Sequence, residues 1–211
     1  VSADASALYN AGTAALEQGD LGRAVAFLAA ARRVDPRAPD VRRNLAIAER
    51  TVASARGESA PTPPAAGGPA LALSAAEGWW LAALLLALGA AAAIAGVWGL
   101  HRKRARLLRV SAAAALAAGA LITLWLGAAA LLERRHPEAV IVVASVEARR
   151  GVDEAPRTPI LMQAGERVRI GRSHGGDVEV ILGGSPIGWV PRAAVWYVAD
   201  TPRYTARLRS E

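Results

Sequence analysis

The stretch WWLAALLLALGAAAAIAGVWGL (79–100), HRKRARLLR (101–109) and VSAAAALAAGALITLWLGAAALL (110–132) decides the architecture of this chain. Neither apolar run carries an ionisable side chain, and each exceeds the roughly 20 residues that cross about 30 Å of hydrocarbon as a helix. With about 80 residues on either side of this pair, the chain is too short to build a soluble core that encloses two helices apolar on every face. The pair therefore reads as two transmembrane helices, 79–100 and 110–132, joined by a basic loop at 101–109. Trp79, Trp80 and Trp98 fall near the edges of the first span, where indoles favour the headgroup layer, and Trp125 counts as deeper within the second.

The loop holds Arg102, Lys103, Arg104, Arg106 and Arg109, five of the 25 basic residues of a 211-residue chain with net charge +7. Such a run suggests nucleic acid in a soluble protein. Between two spans it is a topology determinant that stays cytoplasmic and touches anionic lipid headgroups, so no nucleic-acid partner is expected. Arg134 and Arg135, just past the second span, oppose this orientation with fewer charges. A cytoplasmic loop places both flanking segments on the far side of the membrane, and a chain that starts at Val1 suggests a removed leader. The chain has no cysteine, which excludes a disulfide framework and a thiolate site.

Residues 4–56 read as a helical module. Asp4 or Ser6, and then Asp20, are candidate N-caps, Gly19 separates the first two helices, and Pro36 and Pro39 end the second. Leu8, Ala11, Ala15 and then Leu21, Val25, Leu28 recur at helical spacing. A third helix from near Asp40 carries Val41, Leu45, Ala48 and Val52 on one stripe. Shifting the chain by 34 residues lays Asn10 over Asn44 and Gly12 over Ala46, a period that belongs to the tetratricopeptide repeat. Residues 5–38 resemble one such repeat through Leu8, Ala11, Gly12, Ala24, Leu28, Ala31 and Pro36, and depart from it at Ala15, where an aromatic is common. Gly12, Ala24 and Ala31 have a packing reason, the close approach of paired helices. The resemblance implies a peptide groove faced by Tyr9, Asn10, Thr13, Arg43, Asn44 and Ile47. Asn at this position has a second reading, a hydrogen bond within the helix pair. One repeat and a capping helix fall short of the three that usually stand alone, so a partner or the membrane-proximal domain is expected to complete it.

A Pro/Gly/Ala-rich linker (57–76) follows the module. In the second span Ser111, Ala115, Gly119, Thr123 and Gly127 recur every four residues, a ridge of small side chains that meets the first span, another protein or lipid.

After Glu133 the pattern turns to period two and β-branched residues, AVIVVASVEAR, ERVRIGR, DVEVIL and IGWVPRAAVWYV, with turns at PRTP, HGGD and GGSP. Short strands with Gly-rich turns over 138–200 describe a small all-β barrel, followed by a basic tail at 201–211. The order of elements, with GWV at Gly188 to Val190 and a closing strand, resembles a bacterial SH3 domain. Trp189 is its one surface candidate for a ligand, with core packing as the other reading.

Sites for chemistry are not evident. His101, His136 and His174 lie on separate segments, so no metal site is indicated. Ser173 and His174 are adjacent, Asp153 and Glu154 read as solvated loop charges, and GGSPIG lacks the second glycine of a nucleophile elbow. No cofactor and no catalytic residue are expected.

A helical repeat, a linker, two spans and an SH3-like barrel, in that order, resemble the BatE-type proteins of the bacterial Bat (aerotolerance) system. The fold class expected is a multi-domain membrane protein. The resemblance implies a non-catalytic inner-membrane scaffold with both interaction modules extracytoplasmic. Its partners would be von Willebrand-type membrane proteins and, indirectly, a MoxR-type ATPase. A peptidoglycan-binding anchor or envelope-stress sensor is the other reading.

Overall fold

A computed structural model describes residues 3–57, 74–97, 102–149 and 160–200. They divide into two compact units, one comprising the helical and β segments and one comprising the apolar helices.

In the first unit, α1 (Ala3–Glu17) and α2 (Leu21–Val34) form an antiparallel pair, and α3 (Pro39–Ala55) packs on α2. Asp20 caps α2, its carboxylate accepting from the backbone N–H of Arg23 at 3.0 Å. Asp4 and Ser6 are not caps, because α1 already includes them. Gly12 lets the first pair close: a Cβ there would stand 2.7 Å from Leu28 Cγ.

The β segment contains β1 (Glu138–Ile141), β2 (Ser145–Ala148), β3 (Ile160–Gln163), β4 (Arg167–His174), β5 (Asp177–Leu182), β6 (Ser185–Pro191) and β7 (Val195–Tyr197). Five strands form one antiparallel sheet in the order β6-β5-β4-β1-β7, and β2 and β3 form a separate hairpin. The closing strand thus lies beside the opening one, Val140 opposite Trp196. The hairpin reaches back to the sheet through a backbone bridge between Arg149 and Trp189. Gly183 and Gly184, with φ of +60° and +87°, make the β5–β6 turn, a backbone that side chains resist. The run AVIVVASVEAR is two strands, not one: β1 ends at Ile141 and β2 starts at Ser145.

Helical and β segments share a core. Val140 and Val198 pack in one buried cluster with Val25, Leu28, Leu45 and Val52. Phe27 meets Trp196 at 5.9 Å between ring centroids, tilted by 56°. Gly22 at the start of α2 lies against the backbone of Ile141 and Val142, where a Cβ would come within 2.9 Å of both. Arg56 pairs with the buried Glu166 at 3.3 Å, and Arg167 bridges Glu49 of α3 and Glu138 of β1. The β segment thus covers one side of α2 and part of α3.

The second unit is a pair of helices, α4 (Ala75–Val97) and α5 (Arg102–Arg135), both long and apolar enough to cross a membrane. Helix α4 begins four residues before Trp79 because Ser74 and Glu77 form a capping box. The Ser74 N–H donates to Glu77 Oε2 at 2.8 Å and the Glu77 N–H to Ser74 Oγ at 3.3 Å. The basic segment is not the loop expected at 101–109. From Arg102 onward it is the first two turns of α5, since Arg, Lys, Leu and Ala are all strong helix formers and no Gly or Pro interrupts them. Residues 58–73, Trp98 to His101, Asp153, Glu154, the PRTP turn and the tail at 201–211 lie outside the described residues.

The two helices run antiparallel, with leucine knobs over glycines. A Cβ on Gly78 would meet Leu126, one on Gly89 would meet Leu116, and one on Gly119 would meet Leu86. The seam on α5 is Ala112, Leu116, Gly119, Leu126, with half-buried Ala115, Ile122 and Thr123 between them. That is a heptad pattern, facing the buried Gly78, Ala82 and Gly89 of α4. The ridge that recurs every four residues coincides with it only in its middle, at Ala115, Gly119 and Thr123. Ser111 and Gly127 are exposed, and a Cβ on Gly127 would touch nothing. The reason is geometric: a period of four drifts about 40° per step around a 3.6-residue helix, whereas seven residues drift about 20°. Thr123 satisfies its hydroxyl on the carbonyl of Gly119, and Ser111 on that of Leu108.

Candidate partner-binding surfaces

Tyr9 and Thr13 lie one turn apart on α1, and Asn44 of α3 reaches both. Its Nδ2 donates to Tyr9 Oη at 3.2 Å and to Thr13 Oγ1 at 3.0 Å. All three side chains are half-buried. Both amide protons of Asn44 are therefore spent on tying α3 to α1, across the module rather than within one helix pair. Asn10, Arg43 and Ile47 stand exposed. Of the six groove candidates, three form an internal clamp and three remain open to a ligand. On the other side of the module, α2 is covered by β1 and by the 3-10 turn Val198–Asp200.

Trp189 lies on β6, half-buried, opposite Glu179 of β5. Arg172 of β4 places its guanidinium 5.9 Å from the indole centroid and donates to both carboxylate oxygens of Glu179, at 3.2 Å from Nε and 2.9 Å from Nη2. The Arg172 backbone N–H adds a third bond to this carboxylate. These hydrogen bonds from Arg172 hold the Glu179 carboxyl below its usual range, against the opposing effect of burial. The neighbouring Gly171 leaves room for it, since a Cβ there would lie 2.6 Å from Glu179 Oε2. Near this cluster His136 keeps a buried Nδ1 without a hydrogen-bond partner. Trp189 is thus a half-buried member of a surface network with Arg172 and Glu179. Sequence reading missed Arg172, although the alternation of ERVRIGR and DVEVIL puts opposite charges on facing strands.

Among the topology determinants, Arg102, Lys103 and Arg104 belong to α5, and the side chains of Arg106 and Arg109 are exposed on it. Among the described residues, no group of three or more His, Cys, Asp or Glu side chains is arranged to hold a metal ion. No family model, curated protein or solved structure matches this chain.

Proposed function

We propose that this protein is a non-catalytic membrane scaffold. In this reading α4 and α5 span the bacterial inner membrane as a hairpin, and the tetratricopeptide-like and SH3-like segments act as a single extracytoplasmic adaptor. One observation carries the reading: the β segment covers α2 but leaves the α1–α3 face, with Asn10, Arg43 and Ile47 exposed, free for a partner. The exposed apolar sides of both apolar helices support lipid as their surroundings. A β7 strand paired with β1 supports an SH3-like closure.

The order of segments still resembles the BatE-type proteins of the Bat system. On that resemblance the partners are von Willebrand-type membrane proteins, with a MoxR-type ATPase acting indirectly. Peptidoglycan binding through Trp189 has less support, because the ring is half-buried beside Arg172 and Glu179.

Photo-crosslinkers at Asn10 and Ile47 in cells test the adaptor role. Crosslinks to a membrane-protein partner that Arg43→Glu abolishes are expected, whereas equal crosslinking from exposed Ser145 on β2 would remove the α1–α3 face as the site. For topology, single cysteines at Ala105 and Ser173 are labelled in spheroplasts with an impermeant maleimide. Labelling at Ser173 alone is expected, and labelling at Ala105 alone would invert the orientation.

A further inference from the structure

The antiparallel register of α4 and α5 relocates a tryptophan. Gly78 lies against Leu126, so the next residue forward on α4, Trp79, is level with the next residue back on α5, Trp125. Counted along its own apolar run, Trp125 sits well inside the second span. In the hairpin it stands at the same height as Trp79 and Trp80. All three are exposed, by 46%, 78% and 67% for Trp79, Trp80 and Trp125. We infer that Trp79, Trp80 and Trp125 form one aromatic girdle seated in the glycerol and carbonyl layer of a phospholipid bilayer. The hydrocarbon boundary then crosses α5 at Trp125, and Leu126–Arg135 stands outside it.

This inference rests on the membrane reading proposed above and adds to it a depth and a lipid contact. Two further observations favour it. The first is Glu77, which by the same register is level with Gly127. A boundary at Leu132, where the apolar run ends, would draw Glu77 and the capped N-terminus of α4 about 7 Å into hydrocarbon at 1.5 Å per residue. A carboxylate and a set of helix-end N–H groups are poorly tolerated there, whereas Leu131 and Leu132 are tolerated in the headgroup layer. The second is the opposite edge. Arg109 lies sixteen residues before Trp125 on α5, about 24 Å along the axis. Its long side chain can reach outward to phosphates, which brings the apolar slab near the roughly 30 Å of a bilayer core. An indole joins an apolar ring to one N–H donor, which suits it to the layer where lipid carbonyls begin.

The cysteine-free chain permits a depth measurement that leaves every tryptophan in place. Nitroxide labels are put on exposed positions by Leu81→Cys, Leu88→Cys, Leu124→Cys and Leu131→Cys in the full chain. Each variant is reconstituted in phosphatidylcholine and phosphatidylglycerol vesicles, and relaxation by oxygen is compared with relaxation by a water-soluble nickel complex. The girdle requires equal, shallow depths at positions 81 and 124, a deeper one at 88, and ready access of nickel to 131. A label at 124 deeper than that at 81 would overturn the register, and a label at 131 shielded from nickel would overturn the boundary, both with the membrane reading intact. Nickel access at all four positions would instead bring down the membrane reading and the girdle with it.

Discussion

Gly165 presses its backbone directly against the side chain of Val52. A Cβ on Gly165 would overlap Val52 Cγ2 and lie 3.4 Å from the carbonyl oxygen of Leu21, and the residue has φ of +88°. One glycine in the β3–β4 turn thus meets two different helices. Substituting alanine forces a side chain both into a left-handed backbone and into a packed joint. Gly165→Ala should lower stability by about 2–5 kcal/mol, from a strain of about 1–2 and overpacking of about 1–3. Urea denaturation of the full chain in micelles checks this, and a loss below about 0.5 kcal/mol, the level of an ordinary surface change, would show the joint to be loose.

Gly22 makes the matching contact from the helical side, and its obstacle is the backbone of Ile141 and Val142. Main chain cannot rotate away as a side chain can. Gly22→Ala should therefore cost about 1–3 kcal/mol despite alanine's better helix propensity. Gly12→Ala meets Leu28 Cγ at 2.7 Å and the Leu28 backbone nitrogen at 3.2 Å inside a fully buried contact, and should cost a similar amount. The near-ultraviolet signal of Trp196 against Phe27 reports whether the joint has opened in each variant.

Asn44 separates a structural role from a binding one. Its amide bonds to Tyr9 and Thr13 are half-buried, so Asn44→Ala should cost about 1–2 kcal/mol with no ligand present. Asn10→Ala, at an exposed position, should stay within about 0.5 kcal/mol. If Asn10→Ala weakens crosslinking at Ile47 without changing the denaturation midpoint, Asn10 belongs to the partner's surface.

The hairpin seam makes a contrasting pair of glycines. Gly119 is covered by Leu86, while Gly127 faces open space. Isoleucine at Gly119 should separate the helices, and isoleucine at Gly127 should not. A short bifunctional maleimide across Ala82→Cys and Ile122→Cys reads this out, with crosslinking lost in the first case and retained in the second.

Arg172 and Glu179 tie stability to pH. The folded carboxyl of Glu179 titrates lower than in the unfolded chain, where a Glu sits at about 4.3. Its contribution is therefore complete above that unfolded value and is lost as pH falls through the lower folded one. The melting temperature of the native chain should drop more steeply in this acid range than that of Glu179→Gln. Parallel curves for the two proteins would show the bond to be without consequence.

The helices and strands were legible because their periodicities are strong. Val41, Leu45, Ala48 and Val52 recur at helical spacing, and the facing strands alternate by two. Asp20 could be read as a cap from its place before Leu21. The capping box at Ser74 and Glu77 was equally readable but lies outside the apolar run, so the start of α4 was set too late. The basic segment misled for the opposite reason: charge marks where a span leaves hydrocarbon, not where a helix ends.

Local chemistry determined which segments of this protein are helix, strand or apolar span, because backbone preference and the burial of one face act over a few neighbouring residues. The contacts of Gly22 with Ile141 and Val142, of Gly165 with Val52 and of Trp196 with Phe27, the clamp from Asn44 to Tyr9, and the common level of Trp79 and Trp125 were decided only in three dimensions. Each joins residues far apart in the chain whose contact depends on how whole elements pack. No local pattern carries that information.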